Sequence, residues 1–200
     1  MSNKTLSYYN QNAQSFSDST LHVDMSALYR EFLPLIPKHG HILDAGCGSA
    51  RDAAYFKQQG FTVSAFDAST ELAKIASTHL QQPVAVKTFQ QLDCSNQYDG
   101  IWCCASLLHV SKNELPQVFL NLQHALKPNG VLYVSFKYGD SEREHNGREF
   151  TDLNEEGLTA LITQHTELKI LKHWQTVDQR PERESEVWLN AIINAQRSNK

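Results

Sequence analysis

Apolar residues along this chain recur with two spacings that alternate from one segment to the next. Leu21, Met25, Leu28, Phe32 and Leu35 step by four and three, the pattern of one helix face, with Asp24 as a cap and Pro34 and Pro37 as stops. A short apolar run then ends at Asp44. The following spacing predicts a helix over 50–58, with Gly60 in the position that closes helices. Residues 61–66 read as a second strand. Ser69 is an N-cap, and Glu71 lies near the positive end of a helix running to about Leu80.

After Pro83, residues 84–86 make a short third strand and 99–105 a fourth, whose unbroken apolar run implies burial on both faces. Ser111-Lys112-Asn113-Glu114 has capping-box spacing. Leu115, Val118, Phe119, Leu122 and Leu126 then form a core stripe, with Pro116 in the first turn. Lys127-Pro128-Asn129-Gly130 is a turn before a fifth strand at 131–136. Residues 137–150 carry both charge signs and two glycines and read as a polar loop. A helix is expected around 158–165. Strands near 168–177 and 186–193 follow, joined across a polar segment that contains Pro181, as in a long hairpin. The alternation predicts an α/β fold: a mostly parallel sheet with one antiparallel member and helices on both faces. No repeat, low-complexity tract or linker interrupts it, so 1–200 is read as a single domain.

Composition narrows the class. The net charge of −4 argues against a general nucleic-acid or membrane-surface binder. No apolar stretch approaches a membrane span, and Met1-Ser2-Asn3-Lys4-Thr5 leads into polar sequence rather than a signal peptide. The four cysteines, Cys47, Cys94, Cys103 and Cys104, lack C-x-x-C spacing, which fits reduced thiols and a cytoplasmic protein. The nine histidines form no paired ligand set, so no metal is expected.

The chemistry concentrates in Asp44-Ala45-Gly46-Cys47-Gly48-Ser49-Ala50-Arg51, where an acid and two glycines join a strand to a helix. Glycines there permit a tight turn and close approach of a ligand to the backbone. Asp67, about 20 residues beyond Gly46, stands where a ribose hydroxyl pair needs an acceptor. A structural glycine turn is the plain alternative, but the strand, helix and second acid together favour a nucleoside site. The third small position of a dinucleotide fingerprint is Arg51, and Asp44 would repel a pyrophosphate while attracting an ammonium or sulfonium. Both departures disfavour NAD and suit S-adenosylmethionine.

Leu43-Asp44-Ala45-Gly46-Cys47-Gly48, Ala65-Phe66-Asp67-Ala68-Ser69, Tyr98-Asp99-Gly100-Ile101-Trp102, Leu107-Leu108-His109 and Leu126-Lys127-Pro128-Asn129-Gly130-Val131-Leu132 together resemble the class I S-adenosylmethionine-dependent methyltransferases. The Arg51-Asp52 pair resembles the small bacterial group that includes tellurite-resistance methyltransferases. The resemblance implies a Rossmann-like, seven-stranded sheet whose last strand is antiparallel. It implies Asp44, Ala45, Gly46, Gly48 and Arg51 around the methionine and ribose portion, Asp67 on the ribose, and Ala68 beside adenine. The acid usual after the third strand is missing from Thr88-Phe89-Gln90-Gln91-Leu92, which leaves Phe89 as the base contact or shifts the register by one. Ala105 and Ser106 would flank the methionine part. The product would be S-adenosylhomocysteine.

A sulfonium methyl is already activated, so positioning in a dry pocket supplies most of the acceleration and no base is obligatory. His109 is the one candidate base or substrate contact, against a histidine that fixes its loop through a backbone hydrogen bond. Tyr8, Tyr9 and Phe16 read either as a lid over the cofactor within 1–20, with Tyr9 touching it, or as rings docked on the sheet. Lys137, Tyr138, Arg143, Arg148 and Arg180 offer charge to an anionic acceptor, with 137–150 as the substrate-side loop and Lys137, Arg148 and Arg180 foremost. Asp140, Glu142, Glu144 and Glu149 among them are equally the mark of a solvated loop. Trp174 and Trp188 read as packing, and Cys47 as a small filler. The expectation is methyl transfer to a small-molecule acceptor. Methylation of tRNA or protein, and a non-catalytic regulatory binding module, are the rivals.

Overall fold

The computed structural model describes residues 1–180, 183 and 185–195; Pro181, in the polar segment of the last hairpin, lies outside them. Two short helices begin the chain, α1 (Asn3–Gln11) and α2 (Ala13–Thr20). Ser2 caps α1 by accepting the Thr5 amide. The periodic stretch from Leu21 to Leu35 is not one helix. Leu21 ends α2, α3 covers Ser26–Phe32, and a 3-10 turn follows at Leu33–Leu35. Asp24 accepts the Ser26 amide and turns the chain between them, while Pro34 leaves Leu35 45% exposed instead of in the core.

Then come β1 (His41–Ala45), α4 (Arg51–Gln58), β2 (Thr62–Asp67), α5 (Thr70–Leu80) and β3 (Ala85–Val86). Gly60 sits at φ 88° just past α4, and the Ser69 hydroxyl accepts the Leu72 amide at the start of α5. Next are β4 (Tyr98–Cys103), α6 (Leu115–Ala125) and β5 (Leu126–Lys137). Two local expectations fail here. Ser111 donates to the Asn113 and Glu114 side chains rather than capping α6, whose first turn holds Pro116. Lys127–Gly130 is a bulged part of β5, with Asn129 at φ 63°, rather than a separate turn.

The stretch 137–150 is not a plain loop either. It contains the hairpin β6 (Glu142–His145) and β7 (Arg148–Thr151), turned by Asn146 and Gly147 at φ 50° and 75°. Positive φ at both central residues is the type I′ geometry that an Asn-Gly pair favours. Last among the described elements are α7 (Glu155–His165), β8 (Lys169–Val177) and β9 (Val187–Asn194).

The sheet order is β3-β2-β1-β4-β5-β9-β8, with the first five strands parallel and β9 antiparallel to both neighbours. Alternation along β4 and β5 sends Ile101, Cys103, Leu132 and Val134 to one face, against Phe119 and Leu158 of α6 and α7. Trp102 and Tyr133 go to the other, where they stack at 3.9 Å and meet Phe32 and Phe56. Both faces are covered, which is why the central strands read as continuous apolar runs. Among the described residues no helix is long and apolar enough to cross a membrane.

Candidate active site

The turn after β1 brings backbone and ligand space together. Gly46 and Cys47 both donate their amides to the Phe66 carbonyl, at 2.9 and 3.0 Å. Gly46 has φ 73°, and a Cβ there would lie 2.6 Å from the Ser106 Cβ, so only glycine fits. Ser106 is fixed by donating to the Ala45 carbonyl. The Gly48 amide donates to Asp67 Oδ2 at 2.9 Å, and the Ser69 amide to Oδ1 at 2.8 Å. Burial lifts the Asp67 carboxyl to about 6, against the lowering pull of those backbone amides.

Beneath the loop lies a buried ionic cluster. Asp52 Oδ1 accepts from Arg51 Nε and from the Tyr29 hydroxyl at 2.6 and 2.5 Å; Oδ2 accepts from Arg51 Nη2 and Trp102 Nε1 at 2.9 and 2.8 Å. Burial disfavours its charge, but Arg51 and these donors outweigh burial and hold Asp52 below the usual carboxylate range. Arg51 also donates to the Thr20 carbonyl, tying the end of α2 to α4. Among the described residues Asp44 accepts only the Ala53 amide; burial, then the nearby Asp52 charge, push its carboxyl well above the ordinary value. Burial likewise pushes the Cys47 thiol up, an inert filler rather than a nucleophile.

Two cavities meet above the loop. The narrower has a cavity volume of about 50 Å³ and is lined by Asp67, Ala68, Leu72, Phe89, Ala105 and Ser106. The wider has a cavity volume of about 530 Å³ and takes in Asp44, Arg51, Lys137, Arg148 and Arg180. Tyr9, Phe16, Gly46, Gly48, Ala105 and His109 wall both. Ala45 borders neither; it is fully buried behind the loop. Arg51 faces the wide cavity with its guanidinium committed to Asp52 and Thr20. Leu72 and Asn190 line the cavities without having been singled out as contacts. Asn190, which accepts from the Tyr133 hydroxyl at 2.7 Å, shows in the sequence as a lone polar residue in an apolar run.

His109 is enclosed. Its Nδ1 meets the Glu149 carbonyl and its Nε2 the Tyr9 hydroxyl, both at 2.7 Å. The carbonyl requires a proton on Nδ1, so Nε2 accepts from Tyr9. Burial drives the imidazole down to about 4, so it is neutral near pH 7. Of the cations, Lys137 pairs with Glu186, Arg143 with Asp152 and Arg180 with Asp178. Arg143 and Tyr138 border neither cavity, and Tyr138 bonds Glu155. Trp188 faces the wide cavity, while Trp174 packs beside Tyr133.

A sheet of this order, with an antiparallel strand next to its edge and a glycine-loop cleft at the carboxyl ends of the parallel strands, is the class I methyltransferase fold. The chain belongs to the methyltransferase-domain family, whose pattern matches residues 17–174. It is 32% identical over 99 residues to the ubiquinone biosynthesis O-methyltransferase of Rickettsia bellii, an alignment covering 47% of this chain and 40% of that protein. The chain thus spans less than half the length of the curated relatives it matches. Among solved structures, it superposes on a Burkholderia thailandensis 1,6-didemethyltoxoflavin-N1-methyltransferase with S-adenosylhomocysteine bound. The TM-score is 0.75 at 22% identity, over 96% of this chain and 85% of that one. A TehB-like methyltransferase from Corynebacterium glutamicum gives 0.68 at 18% identity, over 94% and 96%.

Proposed function

We propose that this protein transfers a methyl group from S-adenosylmethionine to a small-molecule acceptor. The observation that carries the reading is the pair of cavities joined across Gly46, Gly48 and Ala105. One is a slot ending on a buried acid, the other a wider polar chamber. The slot fits the donor's nucleoside. Asp67 accepts backbone amides on both oxygens and has lone pairs left for ribose hydroxyls, and Ala68, Leu72 and Phe89 provide apolar walls for a base. Asp44, buried with one amide partner, is a carboxylate whose charge a donor cation stabilises.

When bound, S-adenosylmethionine supplies an activated sulfonium methyl. The protein's own task is then to hold the acceptor in line and keep water out. Tyr9 and Phe16 close over the junction of the two chambers, in edge contact at 5.2 Å. His109 positions Tyr9 and the Glu149 backbone rather than taking a proton, since both its nitrogens are engaged. The bounded chamber, together with relatives named for ubiquinone biosynthesis and didemethyltoxoflavin, supports a small acceptor over a macromolecule.

Calorimetry with S-adenosylhomocysteine tests the donor site: binding by the wild type, and its loss in Asp67→Ala, are expected. Unchanged binding by the variant removes the ribose assignment, and no binding by folded wild-type protein removes the function. Transfer of labelled methyl to small-molecule rather than tRNA or protein fractions tests the acceptor class.

A further inference from the structure

The wide chamber is lined by several cations, and most of them are already neutralised. Arg51 pairs with Asp52, Lys137 with Glu186, Arg180 with Asp178, and Arg183 lies 3.6 Å from Glu186. Arg30 is exposed at the mouth, where water solvates it. Arg148 differs. Its guanidinium is clamped between the Tyr8 ring at 4.6 Å and the Phe150 ring at 5.3 Å, on the hairpin strand β7. Among the described residues no carboxylate lies within ion-pair distance of it, and its buried Nε has no hydrogen-bond partner. The rest of the guanidinium hydrogen-bonds the Tyr9 hydroxyl, and its charge also reaches His109, both at the junction of the two chambers.

A half-buried guanidinium with an orphaned donor is unfavourable unless something completes it. Stacking on two rings fixes its plane and so pre-pays the ordering that a fork-shaped contact requires. We infer that Arg148 receives the carboxylate of the methyl acceptor, so that the acceptor is a small organic anion. This rests on the methyl-transfer reading above. Among the described residues the Arg148 guanidinium lacks a carboxylate partner, whereas Arg180 is spent on Asp178, and Lys137 and Arg183 share the carboxylate of Glu186.

The test uses full-length protein saturated with S-adenosylhomocysteine, benzoate as the anionic probe and benzamide as its uncharged counterpart. Benzoate should bind and benzamide should bind about tenfold or more weakly, since charge-assisted bonds are the stronger ones. Arg148→Met should abolish the preference, and Arg148→Lys should keep a reduced one. Equal binding of the two probes by the wild type overturns the inference and needs no variant to do so. Full benzoate affinity in Arg148→Met overturns it as well. So does the result that Arg148→Met weakens S-adenosylhomocysteine but not methylthioadenosine, which lacks the amino-acid end, because Arg148 would then serve the donor's carboxylate. Failure of the wild type to bind S-adenosylhomocysteine at all is a separate outcome, and it sinks the methyl-transfer reading itself.

Discussion

Donor binding should expel a proton in mildly acidic solution, and Asp67 sets the window. Its carboxyl is lifted by burial from an ordinary 3.8 to about 6 in the ligand-free protein. The folded chain therefore holds a proton there that the unfolded chain has lost between about pH 4 and 6. The contribution to stability is present below pH 4 and disappears as pH rises through 6, a span of about 3 kcal/mol from two pKa units. Ribose hydroxyls donating to the carboxylate favour its ionised form, so binding at pH 5 must first release that proton. Affinity for S-adenosylhomocysteine should accordingly fall up to about tenfold per pH unit below 6 and level off above 7. Calorimetry at pH 5 in two buffers of different ionisation enthalpy should count close to one proton released, and at pH 7 almost none. Asp67→Asn should bind more weakly with a flat profile. A wild-type profile flat from pH 5 to 7 would refute the assignment, and the same slope persisting in Asp67→Asn would transfer it to Asp44.

Other outcomes follow from the same geometry. Arg51→Met leaves the Asp52 carboxylate buried without its cation and should lower unfolding free energy by about 3–5 kcal/mol in denaturant titrations; a loss below about 1 kcal/mol would mean that the Tyr29 and Trp102 donors suffice. Gly46→Ala places a Cβ against Ser106 at an unfavourable φ and should abolish donor binding, with partial recovery in the Gly46→Ala, Ser106→Gly double variant. Gly147→Val should speed hydrogen exchange of the 142–151 amides by about 5- to 30-fold, from roughly 1–2 kcal/mol of strain at φ 75°.

The parallel half of the molecule was legible because its signals are local and agree with one another. Asp67 ends its strand and Asp44 lies one residue before the end of its own, Ser69 caps, Gly60 stops, and the apolar runs belong to strands covered on both faces. Legibility ended where distant partners decide. Leu21 and Leu35 fit a helical period, yet a turn at Asp24 and the bend at Pro34 divide it, and periodicity is blind to both. The Asn146-Gly147 pair was a readable hairpin signal masked by the mixed charge around it. Within the site, the loop glycines could be named from sequence. The partners of Lys137 and Arg180 could not, because Asp178 and Glu186 reach the chamber only through the pairing of β8 with β9. Arg148 stood among look-alike cations until its neighbours were known.

Tyr9 and Phe16 belong to both chambers at once. Any shift of these rings caused by filling one compartment reshapes the other. By linkage, whatever factor a first guest applies to the second guest's affinity is returned in equal measure. If the two rings move with occupancy, they would act as a common gauge, through which loading on one side is registered on the other.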